Sequence, residues 1–126
     1  MKLLGIDYGD VKVGLAVGDS ESQIALPYQI LKNNGWDGLV AELEKICVNE
    51  KIEKIIIGLP VGADGKESIQ ASRTREFGKK LDDDINVVIE FLDERFSTRQ
   101  AQKLSPGKDE DDVAAMLILQ NYLDRN

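Results

Sequence analysis

Acidic residues at three separated places in the sequence are the first candidates for chemistry. Asp7 stands between two glycines in the stretch GIDYGDVKVGLAV, residues 5–17, and Glu94 follows the largely apolar run INVVIEFLD. A third acidic group, DEDD at 109–112, precedes another apolar stretch. Carboxylates that converge from separate elements repel one another unless a cation lies between them. Oxygen ligands favour Mg²⁺ or Mn²⁺, and a pair of such ions can cut phosphodiesters.

Each of these acids also has an ordinary structural interpretation. An aspartate at a strand end, such as Asp7, is commonly a turn or capping residue. Glu94 and Asp93 lie beside Arg95 and could form a simple ion pair. Acids in the first turn of a helix compensate the helix dipole, which accounts for any single member of 109–112. Only the combination of the three acidic groups indicates a metal site.

Bulk composition narrows the classes of function. The 126 residues suit one domain, predicted over 1–126, and the absence of His excludes imidazole-based triads and zinc sites. The single Cys47 makes no intramolecular disulfide and lies in an apolar helical pattern, which predicts a buried structural thiol. No signal peptide or membrane-spanning run is recognisable, so a cytoplasmic protein without membrane contact is expected.

The net charge of −7 argues against a protein that simply coats nucleic acid, because such proteins bind through basic surface. It does not argue against an enzyme that acts on nucleic acid. A carboxylate cluster loaded with divalent cations presents positive charge to a phosphate. An acidic nuclease is therefore compatible with the composition.

Hydrophobic periodicity and turn residues predict the elements that position the acids. Pro27 indicates that the third strand lies at a sheet edge or contains a bulge. Asp37 is well placed to cap the first helix, and the three aspartates at 82–84 end the second helix as turn residues. The predicted strands are 2–7, 11–17, 22–31, 52–60 and 85–94, and the predicted helices are 36–51, 67–81, 97–104 and 110–124.

This order predicts an α/β protein with a mixed five-stranded sheet, of order β-β-β-α-β-α-β-α, and helices on its faces. If the first, fourth and fifth strands are parallel neighbours, Asp7 and Glu94 emerge at the same edge, where such sheets carry their functional sites. Spacing leaves open whether Asp111 or Asp112 turns toward the sheet, because both helix faces continue through apolar residues. Small residues at 114 and 115 permit a close helix–sheet approach.

Four motifs resemble, in order and spacing, those of the YqgF/RuvX family of Holliday-junction-resolvase-like proteins. They are GIDYGDVKVGLAVGD, IIIGLPVGADGKESIQ, LDERFST and DDVAAMLILQNYL, which together cover nearly half of the chain. Members of the family are regarded as nucleases that mature the end of precursor 16S ribosomal RNA. The resemblance implies a ribonuclease-H-like fold and a metal-dependent phosphodiesterase that holds one or two Mg²⁺ or Mn²⁺ ions.

The family's carboxylates map onto Asp7, Glu94 and Asp111, which the resemblance makes the catalytic metal ligands. Asp112 stands where the family usually has Ser, and is either an additional ligand or a helix cap. Neighbouring residues on a strand point to opposite sides, which favours Glu94 over Asp93 as the ligand. Gly5 and Gly9 are expected to let the backbone approach the metal and a substrate phosphate. The residues expected to contact neighbouring phosphates are Lys12, Lys66, Arg73 and Arg95.

The resemblance implies precursor ribosomal RNA as the partner, with branched DNA, the ribosome or ribosomal proteins as further candidates. Two other functions use similar features. A nucleotide-binding ATPase of the actin and sugar-kinase type has a similar phosphate loop, matched here by Asp7, Gly9 and Gly14, but needs a second copy of the fold. A non-catalytic factor associated with RNA or the ribosome needs the fold but no metal. A Holliday-junction resolvase is a third alternative.

Overall fold

The structure, a computed structural model, describes residues 1–60, 68–93 and 111–125, with the backbone alone for 111 and 112. The helix predicted at 97–104 lies outside these ranges. None of the helices within them is long and apolar enough to span a membrane. The elements are β1 (Lys2–Tyr8), β2 (Lys12–Asp19), β3 (Ile24–Lys32), α1 (Trp36–Asn49), β4 (Lys54–Leu59), α2 (Ile69–Asp84), β5 (Val88–Asp93) and α3 (Asp111–Arg125).

The strands form one mixed five-stranded sheet in the order β3-β2-β1-β4-β5. β1, β2 and β3 form an antiparallel meander, whereas β1, β4 and β5 are parallel neighbours. Ile6 is in register with Ile57, and Ile57 is in register with Phe91. The carboxyl ends of β1, β4 and β5 therefore meet at one side of the sheet, here called the carboxyl edge. The predicted fold class is confirmed.

Alternation along the strands gives the sheet two separate cores. Even-numbered residues of β1 face α1 and α2, and Leu4 and Ile6 are fully buried in the core there. Leu3 of β1 and Leu92 of β5 belong to the other core, which α3 covers. These sides are here called the α1/α2 face and the α3 face. Each residue of β1 can be assigned to one face by its parity.

β3 lies at the edge of the sheet, as its proline indicated. Its register with β2 is irregular, because Gln29 pairs with Leu15 whereas Pro27 pairs with the next residue, Ala16. One residue of β3 is thus unpaired at the proline, which cannot donate a ladder hydrogen bond. Both parts of the prediction for Pro27 are confirmed.

Two predictions about helix ends are wrong. α1 has Gly35 at its N-cap and no side-chain cap, and Asp37 lies inside the first turn, where it faces the helix dipole favourably. α2 continues through the three aspartates at 82–84, and its C-cap is Ile85, whose N–H donates to the Leu81 carbonyl at 2.8 Å. Burial of Leu81 and Ile85 in the core outweighs the unfavourable acids of the last turn.

α3 runs across the sheet with its amino end toward the carboxyl edge. Its C-terminal half is anchored at the opposite edge, where Lys54 at the start of β4 donates to the Tyr122 hydroxyl at 2.8 Å. That hydrogen bond is the main cause of a raised Lys54 pKa. Gln120 also accepts a hydrogen bond from the Ala25 N–H at 2.9 Å. α3 is therefore antiparallel to β1.

Cys47 is buried in the α1/α2 core, as predicted, and burial raises the pKa of its thiol from 9.0 to about 11, with a smaller contribution from Glu44. The unfolded chain loses this proton near pH 9, whereas the folded chain keeps it to about 11. The free energy of unfolding should therefore fall as pH rises through that window, by roughly 2–3 kcal/mol. Urea unfolding of wild type and Cys47→Ala at several pH values measures this difference. An identical alkaline decline in both proteins would contradict it.

Candidate active site

Asp7 is the next-to-last residue of β1 and lies at the carboxyl edge. It has the parity of Leu3 and Gly5, so its side chain is on the α3 face and is partly buried. Across the hairpin, its partner in the adjacent strand is Gly14, which has no side chain to cover it. Asp7 is thus presented at the end of a rigid central strand and beneath the path of α3.

The first turn of α3 reaches the level of Asp7. A Cβ atom added to Gly5 would lie 2.8 Å from the Leu119 Cβ and 3.0 Å from the Ala115 carbonyl oxygen, so α3 touches the backbone of β1 at Gly5. From there β1 advances about 6.6 Å to Asp7. The four-residue step along α3 from Ala115 to position 111 covers nearly the same distance, about 6 Å. The backbone at 111 and 112 therefore approaches Asp7.

Both apolar stripes of α3 face the sheet. Ala115 and Ile118 continue the stripe of Asp111, Leu119 and Leu123 continue the stripe of Asp112, and all four are buried in the same core. The line of contact thus passes between the two stripes. Positions 111 and 112 flank it, and the side chains of Asp111 and Asp112 lie outside the described residues.

β5 ends at the same edge, one strand beyond β4. Asp93 is in register with Leu59, and it follows Leu92, which faces α3. Asp93 is therefore on the opposite face from Asp7. The predicted ligand Glu94 and the predicted phosphate contacts Arg95 and Lys66 lie outside the described residues.

Lys12 shares the α3 face with Asp7. Because Asp7 is in register with Gly14, Lys12 is its diagonal neighbour across the hairpin, at a Cα spacing of about 7–8 Å. Its side chain is exposed. The structure thus brings one predicted phosphate contact beside the predicted metal ligand.

The two glycines beside Asp7 have structural roles. The space above Gly5 is filled by Leu119 and Ala115, so the expectation that Gly5 leaves clearance for a phosphate is wrong. A Cβ atom on Gly9 would lie 2.5 Å from the Lys12 carbonyl oxygen, so closure of the hairpin requires glycine there. Contact between Gly9 and substrate remains a prediction.

Arg73 lies on the other face of the sheet. It extends from α2 and forms an ion pair with Asp10 of the hairpin turn, and both side chains are about half exposed. The structure therefore separates Arg73 from Asp7 and Lys12, although all three lie near the same end of β1. Arg73 is available to a phosphate at some distance from Asp7.

Two amide side chains that spacing did not single out hold the end of β1 in place. The Asn33 amide donates to the Gly9 carbonyl at 2.9 Å and to the Tyr8 hydroxyl at 3.3 Å. The Gln70 amide donates to the Tyr8 carbonyl at 3.1 Å. Asn33 lies in the loop between β3 and α1, and Gln70, the last residue of the second motif, lies in α2, so only the fold brings them to the end of β1. They fix the backbone directly after Asp7.

No group of three or more potential metal ligands occurs among the residues whose side chains the structure describes. Of the four predicted ligands, only Asp7 belongs to that set, because Glu94, Asp111 and Asp112 fall outside it. Asp7 itself interacts with another group of the folded protein. The predicted metal cluster accordingly stays a prediction.

Known structures with the same fold include Holliday-junction resolvases. Thermus thermophilus RuvC, solved with a Holliday junction substrate, superimposes with a TM-score of 0.65 at 12% identity, covering 99% of this chain and 94% of RuvC. The fowlpox virus resolvase bound to Holliday junction DNA gives a TM-score of 0.60 at 13% identity, covering 99% and 98% of the two chains. At these identities the similarity concerns the fold, which is the predicted ribonuclease-H-like one.

Sequence relatives extend over the whole chain. A protein of Maridesulfovibrio salexigens named "Putative pre-16S rRNA nuclease" is 34% identical over 99% of both chains. One of the same name from Lactococcus lactis subsp. lactis is 36% identical over 98% of this chain and 94% of its own. Residues 1–125 match the family described as "RuvX: Holliday junction resolvase". With a family match of this extent and relatives above 30% identity along their full lengths, the chain belongs to the RuvX family.

Proposed function

We propose that this protein is a metal-dependent nuclease that hydrolyses a phosphodiester bond of precursor 16S ribosomal RNA. The observation that carries the proposal is the placement of Asp7 at the carboxyl edge, on the face that the first turn of α3 approaches. The names of the full-length relatives support RNA as the substrate. The resolvase of the same fold that was solved with a Holliday junction supports a nucleic acid as the ligand.

The donor set fits a hard divalent cation. Asp7 offers carboxylate oxygens at a partly buried position, and the chain contains no His that would favour zinc. Asp93 faces away from α3, so strand alternation favours Glu94 as the ligand that joins Asp7. Asp111 completes the set, and Asp112 adds a further carboxylate. These residues would hold one or two Mg²⁺ or Mn²⁺ ions.

Ions bound there would lower the pKa of an attacking water and stabilise the leaving oxygen. The chain's own residues orient the substrate. Lys12, the diagonal neighbour of Asp7, contacts the phosphate next to the scissile bond, and Arg95 and Lys66 contact others. Gly9 lies in the hairpin turn between Asp7 and Lys12. Arg73 contacts a phosphate of the same strand on the α1/α2 face.

Net charge bears on which form of the RNA is bound. A chain of net charge −7 repels a naked polyanion, and Lys12 beside Asp7 offsets this only locally. Precursor RNA held in an immature small ribosomal subunit provides protein contacts as well as phosphates. Ribosome-bound precursor should therefore be cut more efficiently than naked RNA.

Metal dependence is the central test of the proposal. Purified protein should cleave a precursor 16S RNA end in Mg²⁺ or Mn²⁺, lose that activity in a chelator, and regain it when metal is restored. The same assay on an immature small subunit and on a four-way DNA junction compares the candidate substrates.

Other outcomes of this assay separate the alternatives. Cleavage that survives chelation would overturn the metal mechanism. Preferential cutting of the DNA junction would assign a resolvase instead. Binding of RNA without cleavage in any metal would establish a non-catalytic ribosome-associated factor.

A further inference from the structure

A cleft opens on the α1/α2 face beside the end of β1, on the side of the sheet away from Asp7. Its volume is about 280 Å³, just below the range usual for small-molecule sites. We call it the aromatic cleft. The polar, charged and aromatic side chains that line it and are used below are Tyr8, Asn33, Trp36, Arg73, Phe77 and Lys80.

Three aromatic rings form the wall of the aromatic cleft. Tyr8 and Phe77 are stacked with centroids 4.2 Å apart, and Trp36 meets Phe77 edge to face at 5.8 Å. The Trp36 indole donates to an Asp84 carboxylate at 2.8 Å, which fixes the plane of the ring. Phe77 is buried, whereas Trp36 is only partly buried. Trp36 thus offers a rigid, partly exposed aromatic surface.

Cations lie at the mouth of the aromatic cleft. The Lys80 ammonium is 5.8 Å from the centre of the Trp36 ring, and the exposed Arg73 pairs with Asp10. Glu76 also lines the cleft, and the carboxylates of Asp10 and Asp84 contact Arg73 and Trp36, so the cations lie among acids. Lys80 is the cation that lies over an aromatic ring, an arrangement suited to a nucleotide, whose base stacks and whose phosphate needs a cation.

The aromatic cleft is physically joined to the candidate active site. Tyr8 follows Asp7 directly, so the two side chains leave β1 on opposite faces about 3.3 Å apart along the strand. Asn33 binds both the Tyr8 hydroxyl and the Gly9 carbonyl. A strand that has one phosphate at Asp7 and crosses the carboxyl edge would therefore run toward the cleft.

We propose that the aromatic cleft binds one unpaired nucleotide of the RNA strand beside the bond at Asp7, with its base stacked on Trp36 and its phosphate against Lys80. The identity of the strand rests on the proposed nuclease function. Stacking of a base is worth more than an exposed cation–π contact, so the base displaces Lys80 from the ring. The flexible Lys80 side chain then reaches the phosphate, with Arg73 as the second cation. A base within a duplex cannot enter, which selects single-stranded RNA.

Trp36 is the only tryptophan in the chain, so its fluorescence reports directly on the cleft. Asp7→Asn protein, in which cleavage is suppressed, is titrated with a single-stranded oligoadenylate and with an RNA duplex. We expect saturable quenching by the single strand and little by the duplex. Trp36→Leu, followed by a binding assay that does not use tryptophan, should weaken single-strand affinity about tenfold.

Lys80→Gln retains Trp36 as the fluorophore. Because Lys80 is exposed, the substitution tests the site without destabilising the fold. It should weaken quenching and lower the dependence of log affinity on log salt by about 0.7. Lys79→Gln is the matched control, because Lys79 is an exposed neighbour on α2 that does not line the cleft.

The outcomes distinguish the cleft from the nuclease. If quenching is saturable and depends on Lys80 but the protein never cuts RNA, nucleotide binding in the cleft is supported and only the proposed nuclease activity is overturned. RNA cleavage without quenching, at a rate unchanged in folded Trp36→Leu and Lys80→Gln, overturns the cleft and leaves the nuclease intact. Equal losses in Lys79→Gln and Lys80→Gln would also overturn it, because they would indicate general charge attraction.

Discussion

Asp7→Asn is expected to lower the rate of metal-dependent RNA cleavage by a factor of about 1,000, because a metal ligand contributes several kcal/mol to the transition state. The amide has nearly the shape of the carboxylate but no charge to hold a cation. Single-turnover cleavage of precursor RNA at saturating Mg²⁺ measures the loss. The free energy of unfolding, measured in parallel, shows that the variant is folded.

Asp19→Asn is the matched control for this substitution. Asp19 ends β2 at the edge of the sheet opposite Asp7, where its carboxylate accepts a hydrogen bond from the Glu21 N–H at 2.8 Å. The Asn side chain can accept the same bond, so both the turn and the cleavage rate should be retained. An Asp7→Asn protein that cleaves RNA as fast as this control would exclude Asp7 from the metal site.

Gly5→Ala is expected to lower the free energy of unfolding by about 1–3 kcal/mol, the usual cost of an added methyl group in a packed core. The new Cβ would meet the Leu119 Cβ at 2.8 Å and the Ala115 carbonyl oxygen at 3.0 Å. One of these atoms is backbone and the other is attached to it, so no side-chain rotation relieves the clash. α3 has to move as a body, which also displaces its first turn from Asp7.

Gly38→Ala in α1 is the control for Gly5→Ala. Nothing lies within 4 Å of a Cβ atom built on Gly38, and alanine favours a helix over glycine, so stability should rise by up to about 1 kcal/mol. Urea unfolding compares the two substitutions. If Gly5→Ala were as stable as wild type, α3 could not touch β1 as described, and its first turn would not be positioned at Asp7.

Most of the fold could be predicted from the sequence because apolar periodicity is a local signal that burial enforces. The run at 55–57 predicted a central strand covered on both faces, and all three isoleucines are fully buried. The proline of β3 predicted both its edge position and its irregular register. The ends of helices were harder to predict. Asp37 lies inside the first turn of α1, which has Gly35 as its N-cap, and the packing of Leu81 and Ile85 outweighs the turn signal of the acids at 82–84.

The candidate site could be predicted only in part. Residue type and motif order singled out Asp7, because a carboxylate between two glycines at a strand end is visible locally. The roles of the Asn33 and Gln70 amides could not be predicted, although Gln70 ends one of the motifs, because their partners lie far along the chain. The packing role of Gly5 could not be predicted for the same reason, because the helix that fills the space above it comes more than a hundred residues later.

The sequence by itself determined which segments become strands and helices, which residues are buried, and that the acids of a RuvX motif set occur in order. Those properties depend on side-chain type and short-range periodicity. Only the tertiary structure decided that Asp7 and Lys12 share one face, that Arg73 and Trp36 lie on the other, and that α3 points its amino end at Asp7. Strand register and helix direction set these positions, and both arise from contacts between residues that are distant in the chain.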